Sequence, residues 1–418
     1  MSSPSELRSR ARKPFCEEVE TRGHLVDSGL MAHILDTIIR DGAAFDVLEF
    51  AMGHTNDDAS YARIEVGADS AAVLEHLLEK LHDLGCVRRT APEPVLEPAP
   101  ADGIAPPGFY STTNHPTAVR LGDRWIPVEG QRMDAAIVVE AGGRARCVKL
   151  RDLRRGDPVI CGIGGVRVSP IPRDRDRSDF AFMSNDVSSE RRVRLAVREL
   201  AGEMEAIRAR GGRTIVVAGP VVIHTGGVEA LSHLVQNRYV AALLAGNALA
   251  VHDLENALYG TSLGISTRTG LAVAEGHHHH IRAINTVNHA GGIAAAVHAG
   301  LLRSGVMAAC VRSGVEFVLA GSLRDDGPLL ETITDMNVAQ DVYARVLAGA
   351  DLVLILSSML HGIAVGNMLP AAVRTICVDL NPAVLTKLAD RGTTQALGLV
   401  TDVGLFLHLL AQELGLAA

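Results

Sequence analysis

The stretch Thr214-Ile-Val-Val-Ala-Gly-Pro-Val-Val-Ile-His-Thr-Gly-Gly227 decides the fold. An apolar run stops at glycine and passes into helix-like sequence. The same unit recurs down the chain. Val240–Ala245 stops at Gly246-Asn247, Val315–Ala320 at Gly321-Ser322, and Leu352–Leu356 at Ser357-Ser358. Thr375–Val378 stops at Asp379-Leu380-Asn381, and Ala396–Val400 at Thr401-Asp402. Short continuous apolar runs mark parallel strands that helices cover on both faces. Ligands of such sheets bind beyond the carboxyl ends of the strands. The repetition therefore predicts an α/β domain over 191–418 with a nucleotide-type site along one sheet edge.

Upstream the pattern changes. Residues 191–210 read as a helix stopped by Gly211-Gly212. Residues 173–190 alternate Arg and Asp and read as a solvated crossover. Residues 109–172 carry strand signals at Arg120–Val128, Ala135–Glu140 and Arg144–Lys149, which predicts a small β-domain. Pro92, Pro94, Pro98, Pro100, Pro106 and Pro107 make 91–108 an extended linker. Residues 14–90 read β-α-β-β-α-β, the order of a ferredoxin-like module. The whole is an α/β multidomain chain.

Composition narrows the function. The chain has 418 residues, 47% of them hydrophobic but only 3% aromatic, and a net charge of −8. Few aromatics and an acidic balance argue against a nucleic-acid partner and suit an enzyme with small ligands. No run has the length of a membrane helix, and Met1–Lys13 lacks the apolar core of a signal peptide. A cytoplasmic enzyme is expected, with Cys16, Cys86, Cys147, Cys161, Cys310 and Cys377 as free thiols.

The strand ends supply the candidate site. Gly219, Thr225 and Gly226 lie where backbone N–H groups and a helix N-terminus can meet a phosphate, although a plain turn reads the same way. Asn247 and Ala248 follow the second run. Gly321, Ser322, Asp325 and Asp326 pack opposing charges into one loop, and Ser358 and Met359 follow the fourth run. Asp379, with Asn381 just beyond, can accept ribose hydroxyls or cap a helix starting at Pro382. Asp253 and Glu255, with His252 alongside, can hold an amine or move a proton, or only complement a helix dipole. No metal is expected at His277–His280. Consecutive helical residues point in different directions, and no carboxylate sits at a suitable spacing beside them. A helix-entry cluster near the site, with one proton-transfer histidine in it, is the stronger reading.

Several stretches together carry a family resemblance. They are Ser111–Thr117, Glu129–Asp134, Phe182–Glu190, Gly246–Glu255, Ala257–Gly264, Gly321–Gly327 and Val378–Ala383. The chain resembles the archaeal-type ornithine cyclodeaminases, also labelled the LOR/SDH conserved-region family. It also resembles the C-terminal half of cyanobacterial arginine dihydrolase/ornithine cyclodeaminase fusions. The resemblance implies a Rossmann-like NAD domain related to deoxyhypusine synthase, in keeping with the missing GxGxxG fingerprint. It implies conversion of L-ornithine to L-proline and ammonia with NAD as cofactor, by a homo-oligomer without the dihydrolase activity of the fusions. Asp253 or Glu255 would then handle the amine and proton, and Arg132 or Arg63 the substrate carboxylate. A net amino-acid dehydrogenase of the saccharopine/lysine type and a non-catalytic amino-acid sensor remain open. The family's mixed His/Arg run is replaced here by four histidines.

Overall fold

The computed structural model describes residues 13–26, 29–53, 58–89, 92–170, 189–266, 271, 273, 276, 279–325, 328–390 and 396–416. They form two compact units. One comprises the residues before 179 with Leu369–Ala372, and the other comprises the remainder. The crossover expected over 173–190 lies almost entirely outside the described residues.

The first unit opens with β1 (Phe15–Gly23), α1 (Leu30–Arg40), β2 (Ala44–Ala51), β3 (Ser60–Ala68), α2 (Ala71–Asp83) and β4 (Val87–Arg88). The strands lie in the order β2-β3-β1-β4 and run antiparallel to their neighbours. That is the split-βαβ arrangement. Alternation dictates it: Ala62, Ile64 and Val66 of β3 point inward and meet Ile34 and Ile38 of α1 and Leu77 and Leu81 of α2. Ser70 caps α2 by accepting from the Val73 N–H.

The unit continues with β5 (Val95–Pro98), β6 (Thr117–Leu121), β7 (Arg124–Glu129), β8 (Ala136–Glu140), β9 (Arg144–Val148), β10 (Pro158–Cys161) and β11 (Val166–Val168). They form one sheet ordered β11-β6-β7-β9-β8-β10-β5. The expected linker is thus in part a strand, since Val95–Pro98 pairs with Pro158–Cys161. Proline misled the reading because it is tolerated on an edge strand, where one row of donors is unused.

The second unit contains α3 (Ser189–Ala209), β12 (Thr214–Ala218), α4 (Val221–His224), α5 (Val228–Gln236), β13 (Ala242–Gly246) and α6 (Asn247–Tyr259). A small hairpin follows, β14 (Thr261–Ser262) and β15 (Ile265–Ser266), then α7 (His279–His289), α8 (Ile293–His298) and α9 (Val306–Ser313). The chain ends with β16 (Glu316–Ala320), β17 (Thr332–Ile333), α10 (Met336–Leu347), β18 (Leu352–Leu356), α11 (Met359–Met368), β19 (Arg374–Asp379), α12 (Pro382–Asp390), β20 (Ala396–Val400) and α13 (Val403–Glu413).

The main sheet of this unit is ordered β17-β16-β13-β12-β18-β19-β20, and every pairing is parallel. All six apolar runs became its strands, and β12 and β18 are buried at every position. The short β17 carries no apolar run and was not expected. The chain builds outward from β12 through β13, β16 and β17, then returns to β18 on the other side. The switch point therefore falls between the ends of β12 and β18, where an open α/β sheet holds its ligand. Among the described residues, no helix is long and apolar enough to cross a membrane.

Candidate functional site

Backbone crowds the switch point. The Gly219 N–H, just past β12, donates to the Leu356 carbonyl at 2.9 Å. A Cβ on Gly219 would sit 2.0 Å from the Ser357 carbonyl oxygen, so only glycine fits. Ser357 itself takes a positive φ of 47°. Ser358 Oγ lies 3.0 Å from Nδ1 of His361. His361 reaches back to the end of β13, where a Cβ on Gly246 would meet its Cε1 at 2.9 Å. Tyr343 braces that strand end by donating to the Ala245 carbonyl at 2.7 Å. Burial lowers the pKa of His361.

The other expected cofactor residues divide by what their side chains touch. Asn247 is buried, and its Oδ1 accepts from Leu329 N at 3.1 Å and Thr332 Oγ1 at 2.8 Å. It tethers the segment leading to β17, while Ala248 follows half-buried in the first turn of α6. Asp325 closes its own loop, accepting from Ser322 N at 2.7 Å and Ser322 Oγ at 3.1 Å beside Gly321. Asp326 lies outside the described residues. Thr225 and Gly226 do not follow the expected course, because the helix after β12 breaks into α4 and α5. Their turn packs on α13, where a Cβ on Gly404 would sit 2.1 Å from the Thr225 carbonyl oxygen. Met359 opens α11 on the exposed side. At the end of β19, Asp379 accepts from Asn381 N at 2.8 Å. Asn381 in turn accepts from Ala383 N at 3.0 Å, so it takes the capping role considered for Asp379.

Ionisable side chains gather on the helices that leave β12 and β13. Glu255 of α6 is fully buried. Its Oε1 accepts from Thr261 Oγ1 and Gly264 N, both at 2.9 Å, and its Oε2 from Leu263 N at 3.1 Å. These bonds hold the β14–β15 turn, where Leu263 and Gly264 both take positive φ, the two-residue hairpin geometry. Two imidazoles face the same carboxylate: His252 Nδ1 lies 3.8 Å and His280 Nδ1 3.5 Å from Oε2. Burial alone would raise the Glu255 pKa. Hydrogen bonding from His252, His280, Gly264 and Thr261 outweighs it and holds the carboxyl well below the usual range.

The cluster extends both ways. The ring of His252 lies between those of His224 and His280, with centroids 4.6 and 4.9 Å away. Ser262 Oγ is 2.7 Å from His224 Nδ1 and 3.5 Å from His252 Nδ1. Burial and the neighbouring His252 lower the pKa of His224. On the other flank, Thr261 Oγ1 is 2.8 Å from Nδ1 of His279. Because that hydroxyl gives its proton to Glu255, which only accepts, His279 must donate from Nδ1. His279 also stacks on Tyr259, with centroids 4.7 Å apart. The arrangement is a buried anion flanked by imidazoles, suited to accepting and returning protons.

Three expected catalytic residues have other partners. Asp253 is fully buried, and its oxygens accept from Val306 N at 2.9 Å and Met307 N at 2.8 Å. It caps α9 across space, in place of a side chain at Gly305, where a Cβ would meet the carboxylate at 2.6 Å. Both its oxygens are engaged by those donors, at the residue where amine handling was expected. Burial raises its pKa from 3.8 to about 6, against the two backbone donors. Arg63, in the first unit, sits between Glu18 and Glu49, each at 3.4 Å. There it forms sheet-surface ion pairs, at the residue where a substrate carboxylate was expected. Arg132, also in the first unit, is half-buried, and its carbonyl accepts from Thr112 Oγ1 at 2.7 Å.

His224, Thr261, Ser262 and His361 were not expected at the site. The first three lie in the quoted Gly219–Gly227 and Ala257–Gly264 segments, but only folding brings those segments onto Glu255; His361 lies in neither and packs at Gly246 and Ser358. The expectation that no carboxylate stands near the histidine run is also corrected. Glu255 comes from another helix, and His280 meets it. His277 and His278 lie outside the described residues.

Comparison with known families agrees with this architecture. The Rossmann-fold region described as ArgZ-like arginine dihydrolase, C-terminal, matches residues 198–410, and its first region matches 116–197. The LOR/SDH bifunctional enzyme conserved region matches 16–115. An ornithine cyclodeaminase of Methanocaldococcus jannaschii is 49% identical over 96% of this chain and 96% of its own length. The chain belongs to the ornithine cyclodeaminase family. It is also 50% identical, over 95% of its length, to the bifunctional arginine dihydrolase/ornithine cyclodeaminase AgrE of Nostoc, but spans only 58% of that protein. Among solved structures, apo ArgZ superposes with a TM-score of 0.83 at 44% identity, covering 97% of this chain and 59% of ArgZ. The complex of AgrE with ornithine and NAD+ matches with a TM-score of 0.52 at 48% identity, covering 96% of this chain and 57% of AgrE.

Proposed function

We propose that this family member converts L-ornithine to L-proline and ammonia with NAD as a resident redox partner. The proposal rests on the buried Glu255 and His252 of α6, the helix that leaves β13 of a parallel sheet, joined by His280 of α7. Similarity to archaeal ornithine cyclodeaminases over nearly the whole chain supports it.

The residues at the switch point fit a dinucleotide. Gly219 lets backbone come close, Ser358 offers a hydroxyl, and Asp379 stands at the next strand end, where ribose hydroxyls are bound in such folds. NAD held there would supply reversible hydride transfer at Cα, with no net oxidation over the cycle. The protein must hold the δ-amine against the oxidised Cα. It must also take a proton from each amine as it reacts and give one to departing ammonia. His252 and His280 are the groups assigned to this traffic, and both face the Glu255 carboxylate. Thr261 and the hairpin N–H groups orient Glu255. Atoms balance, because ornithine equals proline plus ammonia.

The test is incubation of purified protein with ornithine and NAD+ far below the substrate concentration. Proline and ammonia should appear in equal amounts over many turnovers per NAD+. Stoichiometric NADH would establish a net dehydrogenase instead. Binding of ornithine without product would support a sensor.

A further inference from the structure

We propose that His252, Glu255 and His280 form a binding site for one divalent transition-metal ion of the Zn²⁺ class, and that occupancy silences turnover. The silencing half rests on the proton-transfer reading above; the site itself does not.

The donor set comes from the geometry. One ligand atom from each of the three residues lies within 4.8 Å of the others. Around a tetrahedral Zn²⁺, with bonds of about 2.0–2.2 Å, ligand atoms stand about 3.3 Å apart. The Glu255 carboxylate is 3.5 Å from His280 Nδ1 and 3.8 Å from His252 Nδ1, so binding needs the imidazoles to close in by about half an ångström or more. Two imidazoles and one carboxylate are a known zinc donor set with a fourth position left for water. His280 Nδ1 is buried 3.5 Å from the Glu255 carboxylate, too far for a well-formed hydrogen bond and close enough to share an ion with it. Its side chain is 37% exposed, so it can close on an ion without disturbing the core. Glu255 is already held by Thr261, Leu263 and Gly264, the outer-shell support that fixes a ligand. Coordination takes the imidazole lone pairs that proton transfer uses. Metal and turnover therefore compete.

The probe is Co²⁺ or Zn²⁺ alone, added to chelator-treated full-length protein. Titration calorimetry and Co²⁺ absorption should show one ion per chain. His252→Ala and Glu255→Gln should each weaken binding at least tenfold. Both lie outside the His277–His280 run, so retained affinity in both variants would overturn the site and assign any binding to the run. His252→Gln, closer in size and also outside the run, serves if His252→Ala fails to fold. Activity of the parent protein should fall in step with occupancy and return with EDTA. One bound ion with unchanged turnover would overturn the silencing claim. Stoichiometric Co²⁺ binding in a protein that never turns over ornithine would refute the activity and leave the site standing.

Discussion

Asp253 and Glu255 stand on the same helix, both fully buried, yet their carboxyls are pushed in opposite directions. Among the described residues Asp253 accepts from the two backbone donors of α9, and burial wins. Glu255 meets a hydroxyl, two backbone donors and two imidazoles, and hydrogen bonding wins. Two acids of similar sequence context thereby take different tasks.

Stability should record the difference in sign. The folded pKa of Asp253, about 6, lies above its ordinary 3.8. The native state then binds more protons across that window, so stability falls as pH rises from about 4 to about 6 and levels above. Asp253→Asn should remove this falling component from denaturant-derived stability measured against pH. Glu255 has a depressed folded pKa, so its contribution is present above about 4.5 and is lost as acid protonates it. Glu255→Gln should remove that acid-side loss. Equal pH profiles for parent and both variants would contradict the assignment.

Asp253→Ala should destabilise the fold by about 1–3 kcal/mol, because two N–H groups at the start of α9 lose their acceptor. Turnover per folded molecule should change little. Chemical denaturation paired with the proline assay separates the two effects.

Glu255→Gln should lower turnover by about 10²–10⁴-fold if the histidines depend on its charge. His280→Gln should do likewise while leaving the melting temperature near that of the parent, since His280 is half-exposed. Steady-state kinetics on variants shown to be folded decides this.

Asp379→Ala should weaken NAD+ affinity about tenfold or more, as expected for loss of a charged hydrogen bond worth about 1.5–3 kcal/mol. Gly219→Ala should weaken it as well and cost about 1–3 kcal/mol of stability, because the new methyl meets the Ser357 carbonyl backbone. Unchanged NAD+ titrations for both would move the cofactor away from the switch point.

The parallel sheet was legible because burial on both faces imposes unbroken apolar runs, as at Leu352–Leu356 and Thr214–Ala218. The split-βαβ order was legible from the alternation in β1 and β3. The strand Val95–Pro98 was hidden because prolines on an edge look like those of a linker. Glu255 was legible as a candidate and Asp253 equally so, since sequence shows the charge but not its partners. Only folding sets one against Thr261 and His280 and the other against Val306 and Met307. The imidazole cluster was hidden for the same reason: His224, His252 and His280 come from three separate helices.

Redox-neutral cyclisation can be read from ornithine carrying deuterium at Cα, turned over with a catalytic amount of unlabelled NAD+. The deuterium should reappear at Cα of proline, with no NADH accumulating and ammonia equal to proline. Deuterium trapped in a stoichiometric NADH pool, or proline formed with solvent hydrogen at Cα, would contradict it.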